Sequence, residues 1–363
     1  MTKRIVNFSA GPATMPEAVL EEAQRELVNY HGAGMSIMEM SHRSKDYDAV
    51  HEAAIHNVKQ LLNVPDNYSV LFLQGGASHQ FAMLPMNFAQ QKSVDVINTG
   101  SWTKKAIGEL KKGYNHTVVA TSEADNFLKL PDLSSVQYSS DAAYTYMCSN
   151  NTIFGTQFKS FPSTPTPLIA DMSSDILSRE LSVADFGVIF AGAQKNIGPS
   201  GVTLVIIRND LLDQCPSDIP NYFNYKTHAD ANSLYNTPPT FGIYMANLVF
   251  KYLLDNGGLK AQEARNIEKG TLLYDAIDTS DLFYCPVPTN DRSLMNVVFR
   301  QKDHDEAIEK QFIAAAKDAG FDGIKGHRSV GGLRASIYNA QTTTNIQRFA
   351  EFIAAYKPAT VSA

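Results

Sequence analysis

Phe186-Gly-Val-Ile-Phe-Ala-Gly-Ala-Gln-Lys195-Asn-Ile-Gly-Pro-Ser-Gly-Val202 sets one charged side chain between two apolar runs. Residues 188–191 have the length and composition of a buried strand, and residues 202–207 form a second such run. Between them Gly192, Gly198, Pro199, Ser200 and Gly201 make a turn-rich loop whose only charge is Lys195. Low-dielectric surroundings disfavour an ammonium, lower its pKa and make the amine a better nucleophile toward a carbonyl. A lysine that forms a Schiff base needs that property. Taken alone, the same lysine also reads as an exposed loop residue reaching into water.

Outward from this loop the apolar runs stay short and alternate with helical patterns. Strands are expected at residues 70–73, 94–99, 117–120, 143–148 and 167–170, with helices at 79–89 and 102–112 between them. Such alternation predicts an α/β chain with a mostly parallel sheet covered on both faces. Nearer the start, Pro16 opens a helix with apolar Val19, Leu20, Ala23, Leu27 and Tyr30, closing near Gly32. A loop over 33–43 leads to a second helix over 45–62, which lines up Tyr47, Val50, Ala54, Val58 and Leu61. Beyond Asn236-Thr-Pro-Pro239 comes a helix over 241–254, and Gly257-Gly258 mark a boundary. Helices over 259–277, 305–319 and 345–356, with strands over 295–300 and 333–337, make a smaller α+β unit. The expected division is a large domain over 16–256 and a small C-terminal domain over 257–363, with residues 1–15 as an irregular segment near the site.

The chain has 363 residues, enough for two domains, and 44% of them are hydrophobic, which supplies an ordinary globular core. Its 31 Lys and Arg against 37 Asp and Glu leave a charge of −6, which argues against a general affinity for nucleic acid. Cys148, Cys215 and Cys285 are far apart with no CxxC spacing, so neither a metal site nor a disulfide framework is expected, and a reducing cytoplasm is the simplest location. No secretory h-region and no apolar run of membrane-spanning length is seen, so no membrane association is expected.

Four further features bear on chemistry. Gly75-Gly76-Ala77-Ser78 joins an expected strand to an expected helix. It reads equally as a phosphate cradle of free N–H groups or as a plain tight turn. Asp171 ends a strand, where sites form in parallel sheets; it suits a protonated ring nitrogen or a helix cap. Trp102, the only tryptophan, offers a flat face to an aromatic cofactor or fills core. The pairs His42-Arg43 and His327-Arg328 join Arg334 as candidate anion ligands. Arg43 and Arg328 also read as solvated surface residues, whereas Arg334 inside Leu333-Arg-Ala-Ser-Ile337 is odd for a core strand and calls for an anion.

Together these stretches resemble one family, the phosphoserine aminotransferases, within the class V pyridoxal-phosphate aminotransferases of fold type I. Asn7-Phe-Ser-Ala-Gly-Pro12, Met38-Glu-Met-Ser-His-Arg43 and Leu73-Gln-Gly-Gly-Ala-Ser78 carry the resemblance. So do Ala191-Gly-Ala-Gln-Lys-Asn-Ile-Gly-Pro-Ser-Gly201, Asn236-Thr-Pro-Pro-Thr-Phe241 and Lys325-Gly-His-Arg-Ser-Val-Gly-Gly-Leu-Arg-Ala-Ser-Ile-Tyr-Asn339. It runs through essentially the whole chain in one order. The resemblance implies a large domain with a mostly parallel sheet of the seven-stranded type, a smaller C-terminal α+β domain, and pyridoxal 5′-phosphate as cofactor. The reaction it implies is amino transfer between L-glutamate and 3-phosphohydroxypyruvate in serine biosynthesis, with 4-phosphohydroxythreonine of pyridoxine biosynthesis left open as a further substrate.

The resemblance also implies roles at matching positions. Lys195 is similar to the lysine that holds the cofactor, Asp171 to the partner of its pyridine nitrogen, and Trp102 to the ring stacked on it. Thr152 is similar to the threonine near the ring oxygen. Ala77, Ser78 and Gln194 match phosphate-holding positions. Asn236 and Thr237 match a pair that reaches the phosphate in the neighbouring subunit, which implies a homodimer with shared sites. His42, Arg43, His327 and Arg328 resemble the cluster for the substrate's distal phosphate, and Arg334 the clamp on its α-carboxylate. Some members carry Gly-Arg in place of Ala77-Ser78, and glutamate often stands where this chain has Asn151. Another class V activity on small amino acids or glyoxylate, a cysteine desulfurase, and a non-catalytic cofactor or nucleotide binder are the competing readings. Against a desulfurase, no cysteine here has an activating neighbour in sequence.

Overall fold

The chain was analysed as a computed structural model that describes residues 4–358. Its strands, in chain order, are β1 (Val6–Asn7), β2 (Tyr68–Gly75), β3 (Val94–Asn98), β4 (His116–Thr121), β5 (Tyr144–Cys148) and β6 (Leu168–Asp171). These are followed by β7 (Val188–Gly192), β8 (Gly201–Arg208), β9 (Phe283–Tyr284), β10 (Asn296–Gln301), β11 (Phe321–Asp322) and β12 (Leu333–Ser336). Seven of them form one sheet in the order β2-β8-β7-β6-β5-β3-β4. β4, β3, β5, β6 and β7 pair in parallel, while β8 runs antiparallel to both its neighbours, β7 and β2. The reversal at β8 has a simple cause. A parallel return needs a crossover of about a dozen residues or more, and only the Lys195 loop separates β7 from β8.

Successive side chains on the sheet serve opposite faces. Phe72, Ala170, Ile189, Leu204 and Ile206 join one buried cluster, together with residues of the helices Lys45–Leu62 and Thr240–Asp255. Their neighbours Leu71, Ile169, Phe190, Val205 and Ile207 join another, with residues of the helices Ala77–Phe88 and Ser101–Leu110. Each fully buried Leu, Ile, Val or Phe contributes about 1.5–3 kcal/mol relative to exposure, so a one-residue slip of any central strand would be strongly penalised.

A third buried cluster is rich in aromatic rings: Phe8, Phe283, Phe299, Phe312, Phe321 and Phe349. It surrounds the antiparallel sheet β12-β10-β9, and β1 pairs with β11 beside it. The start of the described chain is therefore held by the C-terminal core. From there it runs to the Lys195 loop, where the Ala13 N–H donates to the Gln194 carbonyl at 2.9 Å.

The first helix is shorter than its apolar pattern suggests, spanning Glu17–Glu26. The Asn29 side chain accepts from the Gly34 N–H at 2.7 Å and His31 takes φ +46°, so the chain closes a local loop instead of continuing the helix. Leu27, placed on the helical pattern, lies just past the helix end and is 38% exposed. Among the described residues no helix is long and apolar enough to cross a membrane.

Candidate active site

The carboxyl ends of β5, β6 and β7 converge, as parallel α/β sheets favour for a site. β6 ends on Asp171, β7 ends just before the Lys195 loop, and the chain leaving β5 reaches Thr152 within four residues. The Lys195 Nζ donates to Thr152 Oγ1 at 2.8 Å and lies 5.5 Å from the centre of the Trp102 ring. Part of the Lys195 side chain stays open to solvent, yet its surroundings desolvate the amine and lower its pKa, against the opposing pull of Asp171. The lysine is thus biased toward a neutral, nucleophilic amine.

Asp171 is buried, and burial raises its pKa while Ser173 and Lys195 hold it back. Its Oδ1 accepts from the Ser173 N–H at 2.9 Å and the Ser173 hydroxyl at 2.6 Å. The Ser173 hydroxyl also accepts from the Gly192 N–H at 3.0 Å, tying the carboxylate to the end of β7. No described residue hydrogen-bonds Asp171 Oδ2, which leaves one oxygen for a ligand.

Arg334 lies on β12 opposite Val298. Its Nη1 donates to the Thr152 carbonyl at 3.0 Å, so Thr152 touches both the amine and the guanidinium. The Arg334 Nε is buried without a partner among the described residues, and burial lowers the group's pKa. Spare donors on a half-buried guanidinium are what an incoming carboxylate needs. His327 and Arg334 line one cavity of about 530 Å³ together with Ile153 and Phe154. Desolvation lowers the His327 pKa, and the cations of Arg334, Arg328 and Lys105 lower it further. Arg328 itself is exposed.

Trp102 stands in the first turn of its helix, after Gly100 at φ +143°. A Cβ at Gly100 would collide with the side chain of Asn151, whose amide donates to the Thr99 carbonyl. Asn151 thereby holds the turn that presents Trp102. At the other strand-to-helix turn, Gly75 takes φ +99° and a Cβ there would strike the His79 ring. No side chain caps the helix that begins at Ala77, so the first N–H groups, at Ala77 and Ser78, are available to an anion. Gln194 packs against Gly192 and Gly11, and a Cβ on Gly11 would lie 3.5 Å from the Lys195 side chain.

Two predicted groups are not joined to this cluster by their own chain. Asn236 is half-buried and donates to Gln74 Oε1 at 2.7 Å, which sets it and Thr237 beside the residue preceding Gly75. His42 and Arg43 lie on the surface of the loop before the second helix. Among the described residues no side-chain hydrogen bond or ion pair links either of them to Lys195, Arg334 or His327. Ser173 and Asn151 position the site and carried no weight in the sequence reading. Asp171-Met-Ser173 has a local signal, the aspartate followed two residues on by a hydroxyl, whereas Asn151 shows its part only in three dimensions.

Known proteins match this chain along its length. The family profile described as aminotransferase class-V covers residues 5–349. The chain belongs to the class-V aminotransferase family. It is 54% identical over 353 residues to the phosphoserine aminotransferase of Geobacillus kaustophilus, covering 97% of this chain and 98% of that one. Among solved structures, the phosphoserine aminotransferase from Bacillus circulans subsp. alkalophilus superposes with a TM-score of 0.94 at 50% identity, covering 96% of this chain and 97% of that one. A pyridoxal-phosphate-bound phosphoserine aminotransferase from Trichomonas vaginalis gives 0.92 at 40% identity, over 96% and 99% of the two chains. The architecture is that of the fold type I aminotransferases, and the family is pyridoxal-phosphate-dependent. The residues of the site fit that cofactor: an amine for its aldehyde, a free carboxylate oxygen for its ring nitrogen, a flat indole for its ring, and an uncapped helix start for its phosphate.

Proposed function

We propose that this class-V aminotransferase moves the amino group of L-glutamate to 3-phosphohydroxypyruvate, giving O-phospho-L-serine and 2-oxoglutarate in serine biosynthesis. The observation that carries the reading is the convergence on Thr152, where the Lys195 amine, from the loop after β7, and the Arg334 guanidinium, from β12, meet. Bound pyridoxal phosphate supplies an electron sink and carries the amino group between the two acids. Lys195 contributes a depressed-pKa amine that takes up and returns a proton at Nζ, oriented by the Thr152 hydroxyl. Asp171, fixed by Ser173 through Oδ1, would hold the cofactor's ring nitrogen in its protonated form. Trp102 covers the ring's face and excludes water from it. Ala77, Ser78 and Gln194 hold the cofactor's phosphate.

Arg334 binds the α-carboxylate, which both acids possess, so one clamp serves both half-reactions. His42, Arg43, His327 and Arg328 form the distal pocket, which must take a phosphate from one acid and a carboxylate from the other. The exposed side chains of Arg43 and Arg328 suit that double duty better than a rigid fork. Two such chains form a homodimer with shared sites, in which Asn236 and Thr237 reach the neighbouring cofactor's phosphate. Supporting this, residues 27–38 expose four large apolar side chains, Leu27, Val28, Met35 and Met38, of the kind interfaces cover. The large domain is drawn from 16–256 and the small one from 257–363, with the N-terminal segment lying against the Lys195 loop. The three free thiols suit a cytoplasmic location.

Spectrophotometry tests the function. The purified holoenzyme should lose its visible cofactor band on adding glutamate and regain it on adding 3-phosphohydroxypyruvate. A band that ignores both acids would refute the assignment.

A further inference from the structure

The helix Gly258–Asp278 buries a polar stripe. Gln262, Asn266 and Lys269, at spacing i, i+4 and i+7, are each 2% exposed or less. A helix that packs on a core normally fills that stripe with apolar residues. Here all three face the segment just after β12. The Lys269 Nζ donates to the Ile337 carbonyl at 2.9 Å and the Tyr338 carbonyl at 2.8 Å. The Asn266 amide donates to Asn339 Oδ1 at 2.9 Å and to the Ser178 carbonyl at 2.9 Å, and Gln262 donates to Asn266 Oδ1 at 3.0 Å.

Among the described residues Lys269 has no carboxylate partner. Burial, with Arg265 nearby, pushes its pKa down to about 7. A neutral amine has two hydrogens, and two carbonyls accept them, so the group is satisfied without a counter-ion. The Ile337 carbonyl has no other partner among the described residues, whereas the Tyr338 carbonyl also accepts from the Gln341 N–H at 3.0 Å.

The segment so held connects the two halves of the site. Upstream it continues β12, which carries Arg334. The Tyr338 hydroxyl donates to the Ala10 carbonyl at 2.7 Å, next to Gly11, which backs onto Lys195. The Asn339 N–H donates to Asn196 Oδ1 at 3.0 Å, and its amide donates to the Leu177 carbonyl at 2.7 Å. Asn196 directly follows Lys195.

We infer that Lys269 is a positioning residue that, through the Ile337 and Tyr338 carbonyls, sets where the Arg334 clamp stands relative to the Lys195 amine. The inference rests on the reading of Arg334 as the carboxylate clamp. Substrate geometry at a reacting centre is sensitive to shifts of about 1 Å. The Lys269 amine touches neither substrate nor cofactor, so its loss acts on substrate binding by moving the clamp.

The test compares Lys269→Met and Lys269→Gln with the parent holoenzyme, and with Arg334→Ala as a control. Met keeps volume without donors; Gln keeps an NH₂ with two hydrogens on a shorter stem. With the visible cofactor band intact, Lys269→Met should raise KM for glutamate and for 3-phosphohydroxypyruvate by a common factor of about tenfold, kcat changing less. Lys269→Gln should recover part of that loss. KM values within twofold of the parent in the Met variant, with only the melting temperature lowered, would overturn the inference. So would a Gln variant as impaired as Met, or failure of both to fold, since either would make the lysine a packing or folding element alone. If Arg334→Ala itself leaves both KM values unchanged, the clamp reading has failed instead.

Discussion

Lys195 and Lys269 both sit in desolvating surroundings, and their neighbourhoods differ in one respect that separates chemistry from scaffolding. Lys195 has a buried carboxylate and a flat ring nearby, and part of its side chain is open to solvent. Lys269 faces only backbone carbonyls and is 1% exposed. Burial depresses both pKa values. On the proposed function, what suits the first to be a nucleophile is not the depressed pKa alone but its setting: its side chain is partly open to solvent, and Asp171 has an oxygen to spare for a reactant. The second amine is spent on two hydrogen bonds and has no space in front of it. A lowered lysine pKa marks burial first and function only when geometry adds a path.

The contrast can be broken most severely at Lys195. Replacing it by alanine should reduce transamination by about 10³-fold or more, the scale of losing a group that moves the proton. Single-turnover kinetics with each acid would show it, and turnover near the parent's would remove Lys195 from the chemistry. Next comes its electrostatic partner. Asp171→Asn keeps the shape and the Ser173 bonds but cannot hold a proton on a ring nitrogen. It should lower kcat about 10²-fold, the cost of one preorganised charge contact, while binding of pyridoxal phosphate, followed by its absorbance, weakens less.

Smaller effects sharpen the division of labour around the clamp. Arg334→Ala should raise KM for both acids by about ten- to a hundredfold, the worth of charge-assisted hydrogen bonds. Arg328→Ala should impair 3-phosphohydroxypyruvate more than glutamate. Equal losses for the two acids in that variant would place the phosphate pocket elsewhere.

The smallest effect belongs to Lys269. Its folded pKa of about 7 is below the ordinary 10.5, so between those values the unfolded chain binds the extra proton. Its contribution to stability is therefore present above pH 10.5 and is lost as pH falls toward and through about 7. Urea unfolding at pH 7 and pH 9 should show the parent gaining on Lys269→Met at the higher pH. A pH-independent difference would mean the lysine stays charged in the fold.

These two lysines are unequally legible in the sequence, for physical reasons. Lys195 stood out as the only charge in a loop between two buried runs, and Arg334 as a cation within a core strand. Lys269 lies in Asn266-Ile-Glu-Lys-Gly270, which reads as an ordinary helix surface, because only tertiary packing decides which face is covered. Gly270 was the one clue: a Cβ there would strike Leu294, the mark of a close approach. The long helix Lys45–Leu62 and the sheet strands followed from apolar periodicity. The direction of β8 did not, since an apolar run carries no polarity and only the short loop before it fixes the turn back. The two-residue strands β1, β9 and β11 are too short to alternate. His42 and Arg43 were legible as a motif, yet nothing within one chain joins them to Lys195. Their place in the site belongs to the proposed homodimer.

The most direct measurement pits the two amines against each other. Holoenzyme reduced with borohydride, which makes the lysine–cofactor link permanent, would be digested and its peptides mapped by mass. Label on the peptide containing Lys195, with Lys269 unmodified, is the expected result. Label on any other lysine, or none with the visible band still lost, would contradict the assignment of Lys195.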